Sequence, residues 1–195
     1  ADKAPMAPVY GRLLNKIKAY RPGKRLLDLG TATGYFLSVA SKNDYLAEGI
    51  DLNPSAVKEG QGRGRTMRQA DVLSSGYPDE SFDVVTAFDF FEHLPHDKLK
   101  DYLGVIKKLL ARKGILAIIT VNTGSWWAKI FGKKWHIIVP PEHLFYFNAV
   151  NLTALLEKNG FEVILKTRVG KHFTLQYIFK MLYMCFRKLL VYPLL

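Results

Sequence analysis

Apolar residues fall in short blocks separated by glycine, proline and charged residues, and their spacing changes from block to block. Residues 9–20 (VYGRLLNKIKAY) are apolar at helical spacing and predict a leading helix. Compact apolar runs at 25–29, 46–51, 66–70 and 82–88 predict four strands. Between them, 34–42 predicts a helix, and Asn53-Pro54 opens another with its proline in the first turn. GQGRGR (60–65) reads as a loop. A helix over 97–111 is ended by Lys113-Gly114. ILAIITV (115–121) is apolar throughout, as a strand covered on both faces is. FEVILKT (161–167) predicts a sixth strand. Strands alternating with helices predict an α/β fold, a doubly wound, mostly parallel sheet with helices on both faces.

The chemistry concentrates at the tips of the first two strands. In RLLDLGTATGYF (25–36) an apolar strand ends at Asp28, a glycine turn runs from Gly30 to Gly34, and a helix begins. Backbone N–H groups are thereby aimed at whatever lies above the strand's carboxyl end. AEGIDLN (47–53) repeats the arrangement with Asp51, an acid placed to accept hydrogen bonds from a ribose diol. Gly30 and Gly34 form G-x-x-x-G and lack the middle glycine of G-x-G-x-x-G that lets a pyrophosphate approach. A nucleoside cofactor without a diphosphate fits this better: S-adenosylmethionine offers an ammonium for Asp28, a ribose for Asp51 and a carboxylate for the turn.

On these residues the chain resembles the class I S-adenosylmethionine-dependent methyltransferases, of Rossmann-like fold. Within them it is similar to the small-molecule and lipid type that includes the ubiquinone-pathway O-methyltransferases. DLGTATG (28–34), GIDLNPSAV (49–57), QADV (69–72), FDVVTAFDFFEHL (82–94), LLARKGILAIITVN (109–122) and WHIIVPPEHLFYFNAVNLTALLEKNGFEV (135–163) follow the family's motif order. The resemblance implies cofactor contacts at Asp28, Gly30, Thr31, Gly34, Asp51, Leu52, Asp71, Val72 and Phe88, with Asp71 meeting the adenine amino group. Thr31-Ala32 stands where the family has Cys-Gly, which costs roughly 1 kcal/mol if the second position needs a positive φ. Lys113-Gly114 stands for Pro-Gly of L-K-P-G-G, a tolerated loop change. The family's last strand is not evident, because 173–195 reads as a helix with few breakers before Pro193; either the chain stops before that strand, the favoured reading, or the tail replaces it.

Composition sets bounds on this reading. With 195 residues, 49% hydrophobic, the chain suffices for one α/β core. The domain is expected over 1–171 with a lid inserted at about 123–147, followed by a basic apolar helix over 172–195. A single cysteine, Cys185, excludes an internal disulfide and a cysteine-built metal site and suits a reducing cytoplasm. ADKAPMAP at the start lacks the apolar core of a secretory leader, so a cytoplasmic location is expected, with peripheral membrane contact. The missing initiator Met is read as processing or trimming.

The net charge of +11 lies entirely beyond residue 101, where Glu142, Glu157 and Glu162 are the only acids. A basic substrate half implies an anionic acceptor or surface, against the plain alternative of solubilising lysines. SWWAKIFGKKWHIIVPP (125–141) interleaves all three tryptophans with lysines, as a lipid-headgroup boundary or a greasy, negatively headed acceptor would need. The tail carries Lys180, Arg187 and Lys188 as a narrow cationic stripe and is too charged to span a membrane. It reads as surface-associated, packed on its own domain, or a dimer contact.

Asp89, Glu92 and His93 share one face if the stretch is helical. That gives a catalytic base in His93, a divalent-ion site, or a brace for the local backbone. The brace ranks first, and no metal is assigned. His143, in PPEHLFYF, is the second candidate base. Methyl transfer is mainly alignment, so a base is needed only for an unionised acceptor. The leading function is methyl transfer from S-adenosylmethionine to a small or lipid-like acceptor, at O before N or C. RNA methylation, suggested by the basic half, ranks below it, as does a non-catalytic, membrane-associated cofactor binder. The oligomeric state is unknown.

Overall fold

The structure, a computed structural model, describes residues 6–132 and 144–167. Five parallel strands run in the order β3-β2-β1-β4-β5, where β1 is Arg25–Leu29, β2 Leu46–Asp51, β3 Met67–Gln69, β4 Phe82–Phe88 and β5 Leu110–Ile119. The chain winds outward from β1 to β3, then returns to β4 on the other side. The carboxyl ends of β1 and β4 therefore flank the switch point, where such sheets open a crevice. Asp28 sits between Gly49 of β2 and Thr86 of β4 in register.

Apolar packing holds the two faces. The helix Leu99–Leu109, labelled α4, buries Leu99, Tyr102, Leu103, Ile106 and Leu109, a stripe at helical spacing. It meets Leu27, Leu29, Val85 and Phe147 on one face of the sheet. On the opposite face α1 (Ala7–Tyr20) and α2 (Tyr35–Ser41) bring Tyr10, Leu14, Ile17, Phe36 and Ala40 against Leu26 and Val84. The helix α3 (Pro54–Gly62) is started by Asn53, whose side chain accepts from the Ser55 and Ala56 amides at 3.0 and 3.2 Å. Two further helices, α5 (Trp126–Phe131) and α6 (Ala149–Lys158), follow β5.

Several expectations are corrected. Residues 161–167 pair with no strand; only 161–164 alternate in burial, and Ile164 and Leu165 lie 49% and 44% exposed. An apolar run becomes a strand only where it finds a ladder, and this one, although Phe161 packs on the core, has none among the described residues. β5 is half-buried rather than covered on both faces, because it is the edge of the described sheet. The first half of GQGRGR is helical, continuing α3 to Gly62. A single 3-10 turn at His96–Lys98 precedes α4, so the regular helix is shorter than 97–111. Lys113 has φ 61°, which proline cannot adopt, so it stands in a glycine's place and not a proline's. The lid's middle, 133–143, and the tail, 172–195, lie outside the described residues.

At the amino-terminal end of β4, buried Asp83 ties the sheet to the α1–β1 connection. It accepts from Arg21 at 2.9 Å and from the Arg25 amide and guanidinium at 3.1 and 3.3 Å. A β-carbon on Gly23 would stand 2.3 Å from its carboxyl carbon, so only glycine fits beside it. Burial pushes the Asp83 carboxyl up, but the bonds from Arg25 and Arg21 outweigh that and hold it at about 2. With the folded value below the unfolded one, Asp83 adds stability at neutral pH that is lost as pH falls toward about 2. Asp83→Asn is expected to cost about 2 kcal/mol at neutral pH. In urea titrations the gap to the parent should close as acidity increases below the ordinary aspartate value.

Candidate functional site

The turn after β1 is stitched to the end of β2. The Gly30 and Thr31 amides both donate to the Ile50 carbonyl, at 3.0 and 3.2 Å, and the Ala32 amide donates to Asp51 Oδ2 at 2.7 Å. Asp51 Oδ1 accepts the Asn53 amide at 2.8 Å. Gly30, Ala32 and Gly34 have φ of 65°, 51° and 74°. Ala32 thus takes the left-handed conformation its family counterpart meets with glycine, at roughly 1 kcal/mol of strain. The Ala32–Asp51 hydrogen bond is what offsets it. Gly30 must be glycine on a second count: a β-carbon there would lie 2.8 Å from the Phe90 ring.

Two cavities open at the carboxyl ends of the strands, and Gly30 lines both. The larger, about 280 Å³, is lined by Ile50, Asp51, Leu52, Ala70, Asp71, Val72, Asp89, Phe90, His93, Leu94 and Tyr102. Asp71 caps the 3-10 turn Val72–Ser74, accepting the Leu73 amide at 2.9 Å, and takes the Tyr102 hydroxyl at 2.8 Å. Burial, reinforced by Asp71, pushes the Tyr102 hydroxyl far above its ordinary value, so it stays a donor. Leu52 is 65% exposed at the rim, and Val72 is buried.

The smaller cavity, about 70 Å³, is lined by Tyr10, Asp28, Gly30, Thr31, Ala32, Thr33, Tyr35, Phe36, Arg63, Arg65 and Phe88. Asp28 is buried and accepts the Thr86 hydroxyl at 2.6 Å. Tyr10, Phe36 and Phe88 form an aromatic wall: Tyr10 stacks on Phe88 at 5.8 Å and meets Phe36 edge-on at 5.0 Å. Burial pushes the Tyr10 hydroxyl up to about 12, with Asp28's charge adding.

The sequence-predicted cofactor residues therefore converge. Asp51, Leu52, Asp71 and Val72 meet at the larger cavity, Asp28, Thr31 and Phe88 at the smaller, and Gly30 belongs to both. Gly34 lines neither; with φ 74° it starts α2. Sequence reasoning missed Tyr10, Phe90, Tyr102, Arg63 and Arg65. Their contributions come from elements distant in sequence, and only the glycine-arginine run carried any signal.

Asp89, Glu92 and His93 do not share a helical face. The stretch forms one 3-10 turn, Phe91–His93, with Glu92 1% exposed and His93 exposed at the larger cavity. Glu92 braces through its backbone: its carbonyl accepts the Leu144 and Phe145 amides at 2.8 and 3.1 Å. Among the described residues no group of three His, Cys, Asp or Glu could hold a metal ion. His143 lies outside the described residues.

A parallel sheet in this order, with acidic tips flanking a glycine turn, is Rossmann-like, the class of fold the S-adenosylmethionine-dependent methyltransferases share. The chain belongs to the family described as a methyltransferase domain, whose model matches residues 4–166. It is 33% identical over 106 residues to 27-O-demethylrifamycin SV methyltransferase of Amycolatopsis mediterranei, covering 48% of this chain and 39% of that protein. It is 34% identical over 105 residues to demethylmenaquinone methyltransferase of Thermus thermophilus, covering 49% and 46%. The chain thus matches less than half the length of either curated relative. A solved S-adenosylmethionine-dependent methyltransferase from Archaeoglobus fulgidus superimposes with TM-score 0.66 at 21% identity, over 90% of this chain and 84% of that one, a likeness of fold.

The cavity residues suit the family's cofactor, S-adenosylmethionine. Gly30 leaves the turn's surface bare, where a β-carbon would be blocked, and the buried Thr31 hydroxyl at the smaller cavity has no protein partner.

The Glu92 carboxyl is buried, and burial pushes it up, with Asp89's charge adding. A raised folded-state value means stability is full below the ordinary glutamate value of 4.5 and declines as pH rises above it. Glu92→Gln is therefore expected to gain on the parent in Tm as pH climbs above that value. A difference that stays constant across thermal melts would contradict the raised carboxyl.

Proposed function

We propose that this chain transfers a methyl group from S-adenosylmethionine to a small or lipid-like acceptor, at oxygen. The observation that carries the reading is the convergence of Asp51, Asp71 and Asp28 on two cavities joined at Gly30. Asp51 is held by two backbone amides, one to each oxygen, and keeps lone pairs for a ribose diol. Asp71, Val72, Leu94 and Tyr102 receive the adenine, with Asp71 accepting from its amino group. Asp28, buried and hydrogen-bonded by Thr86, takes the ammonium. The cofactor supplies an electrophilic methyl group on a sulfonium.

The protein's task is alignment, with proton removal added for a neutral hydroxyl. His93, on the exposed side of its turn at the larger cavity, is the base we assign. His143 remains a second candidate. Two relatives are named for a rifamycin-type and a demethylmenaquinone substrate, which supports a bulky, largely apolar acceptor. The Trp126 and Ile130 side chains, 67% and 51% exposed one helical turn apart on α5, supply apolar surface for it. Lys129 between them favours an anionic acceptor or surface. Among the described residues no helix is long and apolar enough to cross a membrane.

Asp51→Ala is expected to weaken S-adenosylmethionine binding at least tenfold by calorimetry, through loss of ribose hydrogen bonds and of the Ala32 tether. Unchanged affinity would remove Asp51 from the site. Incubation with methyl-labelled cofactor and panels of quinols, phenolic macrocycles and phospholipids tests the acceptor class; label appearing only in RNA would overturn it.

A further inference from the structure

Beyond β5 the chain leaves large apolar side chains in water, on the same side of the sheet as the cavities. Past the carboxyl end of that strand, the Thr123 amide and hydroxyl both donate to the Phe147 carbonyl, at 2.8 and 2.9 Å. One residue on, a β-carbon on Gly124 would stand 3.6 Å from the Asn148 β-carbon. Ser125 then caps α5 and Asn148 caps α6, so the two helices start side by side. Trp126 and Val150 stand at those starts, 67% and 79% exposed, and Ile130 follows Trp126 by one turn at 51%. Leu144, also 51% exposed, joins them to the larger cavity. Its amide donates to the Glu92 carbonyl, and the residues after Glu92, His93 and Leu94, line that cavity.

Exposed apolar surface rimmed by polar caps at a cavity mouth marks a docking face. Charge and side-chain type decide its occupant. Residues 121–156 carry Lys129, Lys133 and Lys134 against a single acid, Glu142. A second copy would set one chain of net charge +11 against another, and the chain's own last residues, 163–195, hold no acid to offer. Ile130, Leu144 and Val150 are aliphatic; they suit acyl chains and give a nucleic-acid base no ring to stack on. Trp126 with Lys129 one turn on is a pairing that seats at an anionic headgroup boundary.

We propose that this collar docks the mouth of the larger cavity onto an anionic lipid bilayer, from which a lipid-like acceptor enters. The acceptor's part in this rests on the function proposed above; the docking face rests on the geometry and the charge. Both helix starts are fixed by their caps, so the collar is presented without prior ordering of the chain.

Co-sedimentation of the full chain with vesicles of phosphatidylcholine and phosphatidylglycerol, compared with phosphatidylcholine alone, tests it. The parent should bind the mixed vesicles more tightly, and Lys129→Gln should lower that binding about fivefold. Trp126→Ser combined with Ile130→Ser should lower it about tenfold or more, the worth of one well-buried apolar side chain. Binding by this variant equal to the parent's would overturn the proposal, because the attachment would then lie elsewhere on the chain. Should that variant not fold, Val150→Glu on the other helix should cost at least as much, and an unchanged affinity there counts against docking just as directly. A parent that binds neither vesicle also overturns it. So does a Val150→Glu form that loses a dimer in sedimentation velocity and keeps its vesicle binding, since the face would then belong to another copy. Calorimetry with S-adenosylmethionine keeps the two readings apart. Cofactor binding without vesicle binding sinks the docking face alone. Vesicle binding through the collar without cofactor binding leaves the face standing and removes the methyl-transfer reading.

Discussion

The hydrogen bond from the Ala32 amide to Asp51 is the constraint on which the site depends. It joins the turn after β1 to the tip of β2, and the two amides on the Ile50 carbonyl reinforce it. One carboxylate thereby does two things: it holds a strained, left-handed alanine in place and stays oriented at the cavity. Glycine in that position would reach the conformation without help. Here the acid and the turn are interdependent, and neither keeps its geometry alone.

Charge is distributed along the sheet with the same economy. Asp83 and Asp28 are buried near opposite ends of the β1–β4 pair. Asp83 is neutralised by Arg21 of the α1–β1 connection and Arg25 at the start of β1. Asp28 has the Thr86 hydroxyl beside it and opens onto a cavity. The difference follows from which end of a parallel sheet each occupies. The carboxyl ends face the crevice at the switch point, and the amino ends are closed by connections. Glu92 is a third case, a buried acid beneath the chain that returns at Leu144 and Phe145, where an uncharged carboxyl costs far less than a carboxylate.

The acidic tips and glycine turn were legible because their chemistry is local. A strand, a turn and a capped helix are specified by neighbouring residues, and so β1 and β4 fall where the apolar runs place them. Leu99 to Leu109 reads as a helix for the same reason, its stripe being periodic. FEVILKT forms no ladder among the described residues, because a strand is completed by its neighbour, which pattern alone does not identify. Asp89, Glu92 and His93 mislead differently: spacing of three and four residues implies a shared face only in an α-helix, and one 3-10 turn sends Glu92 inward and His93 out.

By itself the sequence determined the α/β alternation and the acids and glycine turn at the strand tips, since backbone preference and residue type carry these within a few positions. Only the tertiary structure decided that Tyr10 would wall the cavity of Asp28, that Tyr102 would hold Asp71, and that Ser38 and Thr33 would hold Arg65 beside the turn. Those relations join residues from separate elements, and they exist only once hydrophobic burial has brought the elements together.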